Sequence, residues 1–85
     1  MKLPVIKKAF EHIKENGDDS VKNTISVLEA LSQARGVKED EIEIIGEIIS
    51  NLCGALEVKT MVDDGKDERE ALNTFMQRVL GSIDK

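Results

Sequence analysis

The chain is 85 residues long and carries 17 acidic against 12 basic side chains, which gives a net charge of −5. This length has room for a single domain, residues 1–85, with one hydrophobic core. Its content of 40% apolar and 34% charged residues is typical of a soluble globular protein. The acidic balance argues against nucleic acid as a partner, because neutralising phosphate groups requires a basic surface.

The cysteine content and the lengths of the apolar runs indicate the cellular compartment of the protein. A single cysteine, Cys53, cannot form an internal disulfide, so nothing points to an oxidising compartment. Lys7 and Lys8 interrupt the N-terminal apolar stretch before it reaches the length of a signal-peptide core. The longest uncharged run, from Ile48 to Leu56, is far shorter than the roughly 20 residues that cross a bilayer. We therefore expect a cytoplasmic protein without a membrane partner.

Three amphipathic helices of ordinary length are predicted from the spacing of apolar residues. The first runs from Pro4 to Asn16 and ends before Gly17. The second runs from about Asp19 to Arg35, with N-cap oxygens offered by Ser20 and the aspartates before it. The last runs from Asp67 to Leu80 behind an acidic variant of the capping box.

The third helix is predicted to be longer than the others and apolar on two sides. It spans roughly Glu39 to Asp64, and its apolar residues cover about 200° of the circumference, twice what a surface helix needs. The first apolar set is Ile42, Ile45, Ile49, Leu52 and Leu56, and the second is Ile44, Ile48, Ala55, Val58 and Val62. No segment alternates as a strand does. We expect an all-α fold, a four-helix bundle with a long central third helix.

Covering both apolar sides of the third helix requires more surface than three shorter helices supply. A small chain often gains stability by burying apolar area between subunits, and two-fold dimers are the commonest oligomers. We therefore expect a homodimer packed through the third helix, with the last helix able to contribute, or else an unidentified protein partner. The expected interface residues are Ile44, Ile48, Val58 and Val62, with Glu43, Glu47 and Glu57 remaining in water.

No constellation of residues predicts catalysis, a metal or a cofactor. His12 is the only histidine, which excludes a site built on several imidazoles. The acidic stretch from Asp63 to Glu68 lacks the glycine at position six and the glutamate at position twelve of a calcium loop. We expect a non-catalytic protein with no cofactor.

Cys53 has two interpretations. It lies at the border of the apolar arc of the third helix, with no partner cysteine and no neighbouring base, which favours packing as a small apolar side chain that reacts slowly with thiol reagents. The alternative is a redox-sensitive thiol in a redox-linked accessory protein.

The run Asp19-Ser20-Val21 resembles the Asp-Ser-Leu attachment site of acyl carrier proteins. That resemblance implies an acyl-carrying or ligand-binding bundle. The long loop that carriers place before the serine is absent here, since only Gly17 and Asp18 separate Ser20 from the first helix. An N-cap role accounts for Ser20 equally well.

The whole chain is similar to a small family of bacterial proteins, a domain of unknown function. Three stretches carry the resemblance: Met1-Lys2-Leu3-Pro4-Val5-Ile6-Lys7, Ile45-Gly46-Glu47-Ile48-Ile49-Ser50-Asn51, and Glu70-Ala71-Leu72-Asn73-Thr74-Phe75-Met76 with Val79-Leu80-Gly81-Ser82-Ile83-Asp84. The resemblance implies a stand-alone bacterial cytoplasmic protein and supplies no catalytic residues. The function expected from the residues is that of an interaction protein.

Overall fold

Four helices and short connections make up the chain in a computed structural model, which describes residues 3–83. The helices are α1 (Leu3–Asn16), α2 (Asp18–Ser32), α3 (Glu39–Asp63) and α4 (Glu68–Ile83), and this range holds no strand. The predicted all-α fold of four helices with a long third helix is confirmed. None of the helices in this range is both long and apolar enough to traverse a bilayer.

The connection between α1 and α2 is a single residue, Gly17. Its φ of 90° is positive, as the sequence predicts for a glycine behind a helix, but its ψ of 165° is extended rather than left-handed helical. Gly17 itself is the N-cap of α2, with no side-chain cap, so Asp18, Asp19 and Ser20 lie inside the first turn. The predicted capping role is therefore wrong. The carboxylates of Asp18 and Asp19 still stabilise α2, because they interact favourably with the positive end of its helix dipole.

The second helix ends three residues earlier than the sequence predicts, at Ser32 instead of Arg35. Beyond Ser32, the N–H groups of Gln33 and Ala34 bond to carbonyls three residues earlier at 3.1 Å, which tightens the last turn. The Ser32 hydroxyl also donates to the Glu29 carbonyl at 2.7 Å. Local bonds of this kind compete with continuation of the helix.

Gly65 ends α3 in a Schellman motif. Its φ is +112°, its N–H bonds to the Val62 carbonyl, and the N–H of Lys66 bonds to the Met61 carbonyl, both at 3.0 Å. These bonds satisfy the last carbonyls of α3 and turn the chain into α4, which begins at Glu68.

The hydrophobic core lies between α1, α4 and the second half of α3. The largest fully buried side chain is Phe10 of α1. The buried apolar cluster comprises Ile6, Phe10, Ile13, Val21, Ala55, Val58, Ala71, Leu72 and Phe75. All of its α3 members come from the C-terminal half of that helix, so the core occupies one end of α3.

The first helix runs in the same direction as α3. Near its start, Ile6 places Cδ1 3.6 Å from the Cβ position of Gly54. Just after its end, Asp18 is close enough to act electrostatically on Lys59. Leu3, the first residue of α1, is three residues before Ile6 and therefore lies near the level of Asn51.

The opposite end of the molecule is a two-helix arm, which we define as residues 26–50. It contains the second half of α2, the connection 33–38 and the first half of α3. No residue of the arm is buried. Five large apolar side chains of the arm are each between 42% and 57% exposed, so no part of the described chain buries them: Val27, Leu31, Ile42, Ile44 and Ile48.

Candidate interaction surface

One face of α3 carries a continuous line of residues that passes from the arm into the core. We call this line the seam. Its six members are separated alternately by four and three residues, the spacing that keeps side chains on one side of a helix. They are Ile44, Ile48, Asn51, Ala55, Val58 and Val62.

The two ends of the seam differ sharply in exposure. Val58 is 0% exposed, whereas Ile44 is 57% exposed and Ile48 is 42% exposed. Because α1 begins near the level of Asn51, it covers the later seam residues and leaves the first two in solvent. Val62 is half-buried and packs against the core.

The four predicted interface residues are therefore divided by the structure. Val58 and Val62 belong to the packing of the chain itself, since Val58 is inaccessible and Val62 contacts the core cluster. Ile44 and Ile48 are the two that a partner can reach. The interface hypothesis is revised to the N-terminal end of the seam.

The second helix adds two apolar side chains beside that end. Val27 is 57% exposed and Leu31 is 51% exposed, and they are one turn apart on α2. At about 100° per residue, Val27 and Leu31 point about 120° and 80° away from the buried Val21, both in the same direction around α2. Because α2 runs antiparallel to α3, this direction is the side of the arm on which Ile44 and Ile48 lie. The interface predicted from the sequence does not include these two residues, because the spacing of apolar residues assigns Leu31 to the same apolar face as the buried Val21. We call Val27, Leu31, Ile44 and Ile48 the arm patch.

The electrostatic surroundings of the arm patch are acidic. The arm carries two bases, Arg35 and Lys38, and six acids: Glu29, Glu39, Asp40, Glu41, Glu43 and Glu47. Three of the acids fall in the first turn of α3, where the helix dipole favours negative charge. The start of α1 has the opposite character, with Lys7 and Lys8 exposed and no acid in its first turn.

Cys53 is exposed, contrary to the expectation that it packs as a small apolar side chain. It lies roughly opposite the seam on α3, on a side where Phe75 of α4 also lies. Its thiol borders a shallow hollow of about 220 Å³, lined also by Ile49, Ser50, Gly54, Glu57 and Phe75.

A larger groove of about 640 Å³ lies between α1 and the start of α4. Lys14 spans one end of it, with Nζ 2.7 Å from Oε1 of Glu68 and 5.4 Å from the centre of the Phe10 ring. The other charged residues that line the groove are two bases, Lys7 and Arg69, and two acids, Glu11 and Asp67. Because these charges balance, the groove does not favour a ligand of either charge.

The other candidate residues have local structural roles. The Ser20 hydroxyl donates to the Gly17 carbonyl at 3.0 Å. Ser20 lies within α2, not at the end of a long loop as the serine of an acyl carrier protein does. His12 is exposed, and the Asn16 amide donates to its carbonyl at 3.1 Å. Within residues 3–83, no group of three or more histidine, cysteine, aspartate and glutamate side chains is arranged to hold a metal ion.

A family model matches residues 1–84, and its description is a family of unknown function, DUF6952. The match spans nearly the whole chain, so the protein belongs to this family. Comparison with curated proteins and with solved structures finds no match.

Proposed function

We propose that this member of DUF6952 is a non-catalytic interaction protein that self-associates as a homodimer through the arm patch. The observation that carries the proposal is the uncovered end of the seam: Ile44 is 57% exposed on a helix face whose continuation is the core of the molecule. Large aliphatic side chains clustered on one exposed surface are typical of binding sites.

The size of the arm patch suits a dimer contact. Its four side chains, each between 42% and 57% exposed, present about 400 Å² of apolar surface. A standard interface buries about 800 Å² per partner, of which somewhat more than half is apolar. The arm patch supplies the apolar share of such an interface.

We infer that the protein works in a reducing compartment, the bacterial cytoplasm. The single thiol supports this inference, because secreted domains of this size usually rely on disulfides.

A second candidate is a thiol-linked accessory role for Cys53. The exposure of its side chain favours this candidate, because a redox-active thiol must be accessible. The dimer proposal has the stronger support, since it accounts for four residues from two helices.

Oligomeric state in solution tests the dimer directly. Light scattering at about 50 μM, above a micromolar dissociation constant, should give twice the 9.4 kDa of one chain. Ile48→Glu should give a monomer, because it places a charge at the centre of the arm patch.

Ile42→Glu is the matched control. Ile42 is 43% exposed against 42% for Ile48 and lies on the same half of α3, but it is turned about 120° away from Ile48. This variant should remain a dimer, with circular dichroism verifying that both variants stay helical. A monomeric wild-type chain, or equal dissociation by both variants, would exclude the proposed interface.

A further inference from the structure

We propose that the two copies pack with their arms antiparallel, so that the tip of each arm lies against the start of the partner's α1. The tip is the first turn of α3, Glu39, Asp40 and Glu41. This inference rests on the proposed dimer and specifies its geometry.

The length of the uncovered segment of α3 limits the size of a partner that can pack against it. The uncovered part of α3, residues 39–50, is 12 residues or about 18 Å long, and α1 closes one end of it near Asn51. The α3 segment of a second arm has this same length. It can therefore occupy the open side of the first arm and end where α1 begins.

A two-fold axis between Ile44 and Ile48 brings the arm patches of both copies together. With the axis at residue 46, Asp40 lies six residues before it, about 9 Å along the helix, and Asn51 lies five residues after it, about 8 Å. In an antiparallel pair, Asp40 of one copy therefore lies beside Asn51 of the other copy. The α1 helix of that other copy also starts beside its Asn51.

The charges at these two places are complementary. The tip carries three carboxylates beside the single positive charge of Lys38, and Asp40 and Glu41 flank the seam. The start of α1 offers Lys8, whose side chain is 85% exposed although its ammonium lies 3.6 Å from the Glu11 carboxylate of the same helix. It also has no acid in its first turn and offers the positive end of the helix dipole.

The parallel arrangement of the arms is disfavoured by the same charges. It would place the three tip carboxylates of one copy beside those of the other. Like charges that face each other across an interface weaken association. Opposite charges at the two ends of the contact therefore select the antiparallel orientation.

Charge reversal distinguishes the two arrangements. Asp40→Lys and Lys8→Glu should each weaken the full-length dimer about tenfold, because every dimer contains two copies of the contact. The double variant Asp40→Lys/Lys8→Glu should recover most of the wild-type affinity, since both contacts then pair again with inverted signs. Sedimentation equilibrium measures the dissociation constants, and circular dichroism checks helicity.

Salt provides an independent measurement on the unmodified protein. Both copies carry a net charge of −5, so salt also weakens their general repulsion. Attraction between the tip and α1 predicts that the affinity of the wild-type dimer falls with ionic strength, or rises less than that of the Lys8→Glu variant. A wild-type dimer whose affinity rises with salt as steeply as that of Lys8→Glu, and which shows no recovery in the double variant, would overturn the antiparallel arrangement while leaving the dimer in place. A wild-type chain that is monomeric at every salt concentration would overturn the dimer itself, and this geometry with it.

Discussion

Gly54 and Phe75 are closer than any side chain at position 54 would allow. A Cβ atom on Gly54 would lie 2.8 Å from Cζ and 3.1 Å from Cε2 of the Phe75 ring. The guanidinium of Arg78 lies 5.9 Å from the centre of the same ring and pairs with Glu57, close to Gly54 on α3. This contact fixes α4 against α3 at the middle of the core.

Gly54→Ala should lower the free energy of unfolding by about 1–3 kcal/mol, because the added methyl group forces the buried ring to move. Gly46→Ala is the matched control on the same helix, where no atom lies within 4 Å of the Cβ position. There the substitution should raise stability by about 0.5–1 kcal/mol, since alanine is the better helix former. Urea denaturation measures both changes, and a stabilising Gly54→Ala would show that α4 does not pack as described.

Val58→Ala should lower the free energy of unfolding by about 2–3 kcal/mol, because Val58 is 0% exposed and truncation leaves a cavity. The dissociation constant of the proposed dimer should stay unchanged, since Val58 is part of the core and not of the arm patch. Val62→Ala, at a half-buried position, should cost less. Urea denaturation measures the change in stability, and sedimentation equilibrium measures the change in dimer affinity. A variant with unchanged stability and a weakened dimer would show that Val58 lies in the interface.

The ammonium group of Lys59 titrates above its ordinary range. Its hydrogen bonds to the Asp63 carboxylate, at 2.7 and 2.8 Å, raise the pKa of Lys59, and the charges of Asp63 and Asp18 add to the effect against partial desolvation. A raised pKa in the folded state stabilises the fold fully below the unfolded pKa of about 10.4. That contribution disappears as the pH rises through the folded pKa.

Asp63→Asn should therefore lower the pKa of Lys59, and its effect on stability should vanish at strongly alkaline pH. NMR titration of the Lys59 side-chain methylene next to the ammonium reports the pKa directly. Asp64→Asn removes a neighbouring charge that makes no bond to Lys59, and it should shift the pKa far less. Equal shifts in both variants would mean that general charge, not the hydrogen bonds, raises the pKa.

Cys53 should react with a thiol reagent in the folded protein without denaturant, because its side chain is exposed. Cys53→Ser should leave the dimer intact, since Cys53 lies away from the arm patch. Mass spectrometry after timed alkylation measures the reaction. Reaction only upon unfolding would indicate that the thiol is covered in solution, and a dissociated Cys53→Ser variant would place the interface on the opposite side of α3.

Most of the fold was predictable because apolar spacing identifies the helices directly. A glycine also marked each of the three connections: Gly17, Gly36 and Gly65. The end of α2 was not predictable, since short-range bonds near Ser32 decide between further helix and a tightened turn. The structure also removes the capping role predicted for Ser20, because Gly17 reverses the chain within one residue.

The proposed interaction surface was predictable only in part. Helical periodicity showed that α3 has a second apolar side, but it did not show which stretch of that side α1 would cover. That depends on α1 being 14 residues long against 25 for α3 and on where α1 begins along it. Val58 and Ile48 share a face, so periodicity alone placed both in the interface.

The seam makes the length of α3 as important as its composition. Each residue added to or removed from the stretch between Ile48 and Asn51 would rotate the arm by about 100° relative to the core. Such a change would keep every side chain of the arm patch and aim the whole surface in a new direction. Family members are therefore expected to tolerate substitutions in this stretch far better than insertions or deletions, because the residue count sets the angle at which two subunits would meet in the proposed dimer.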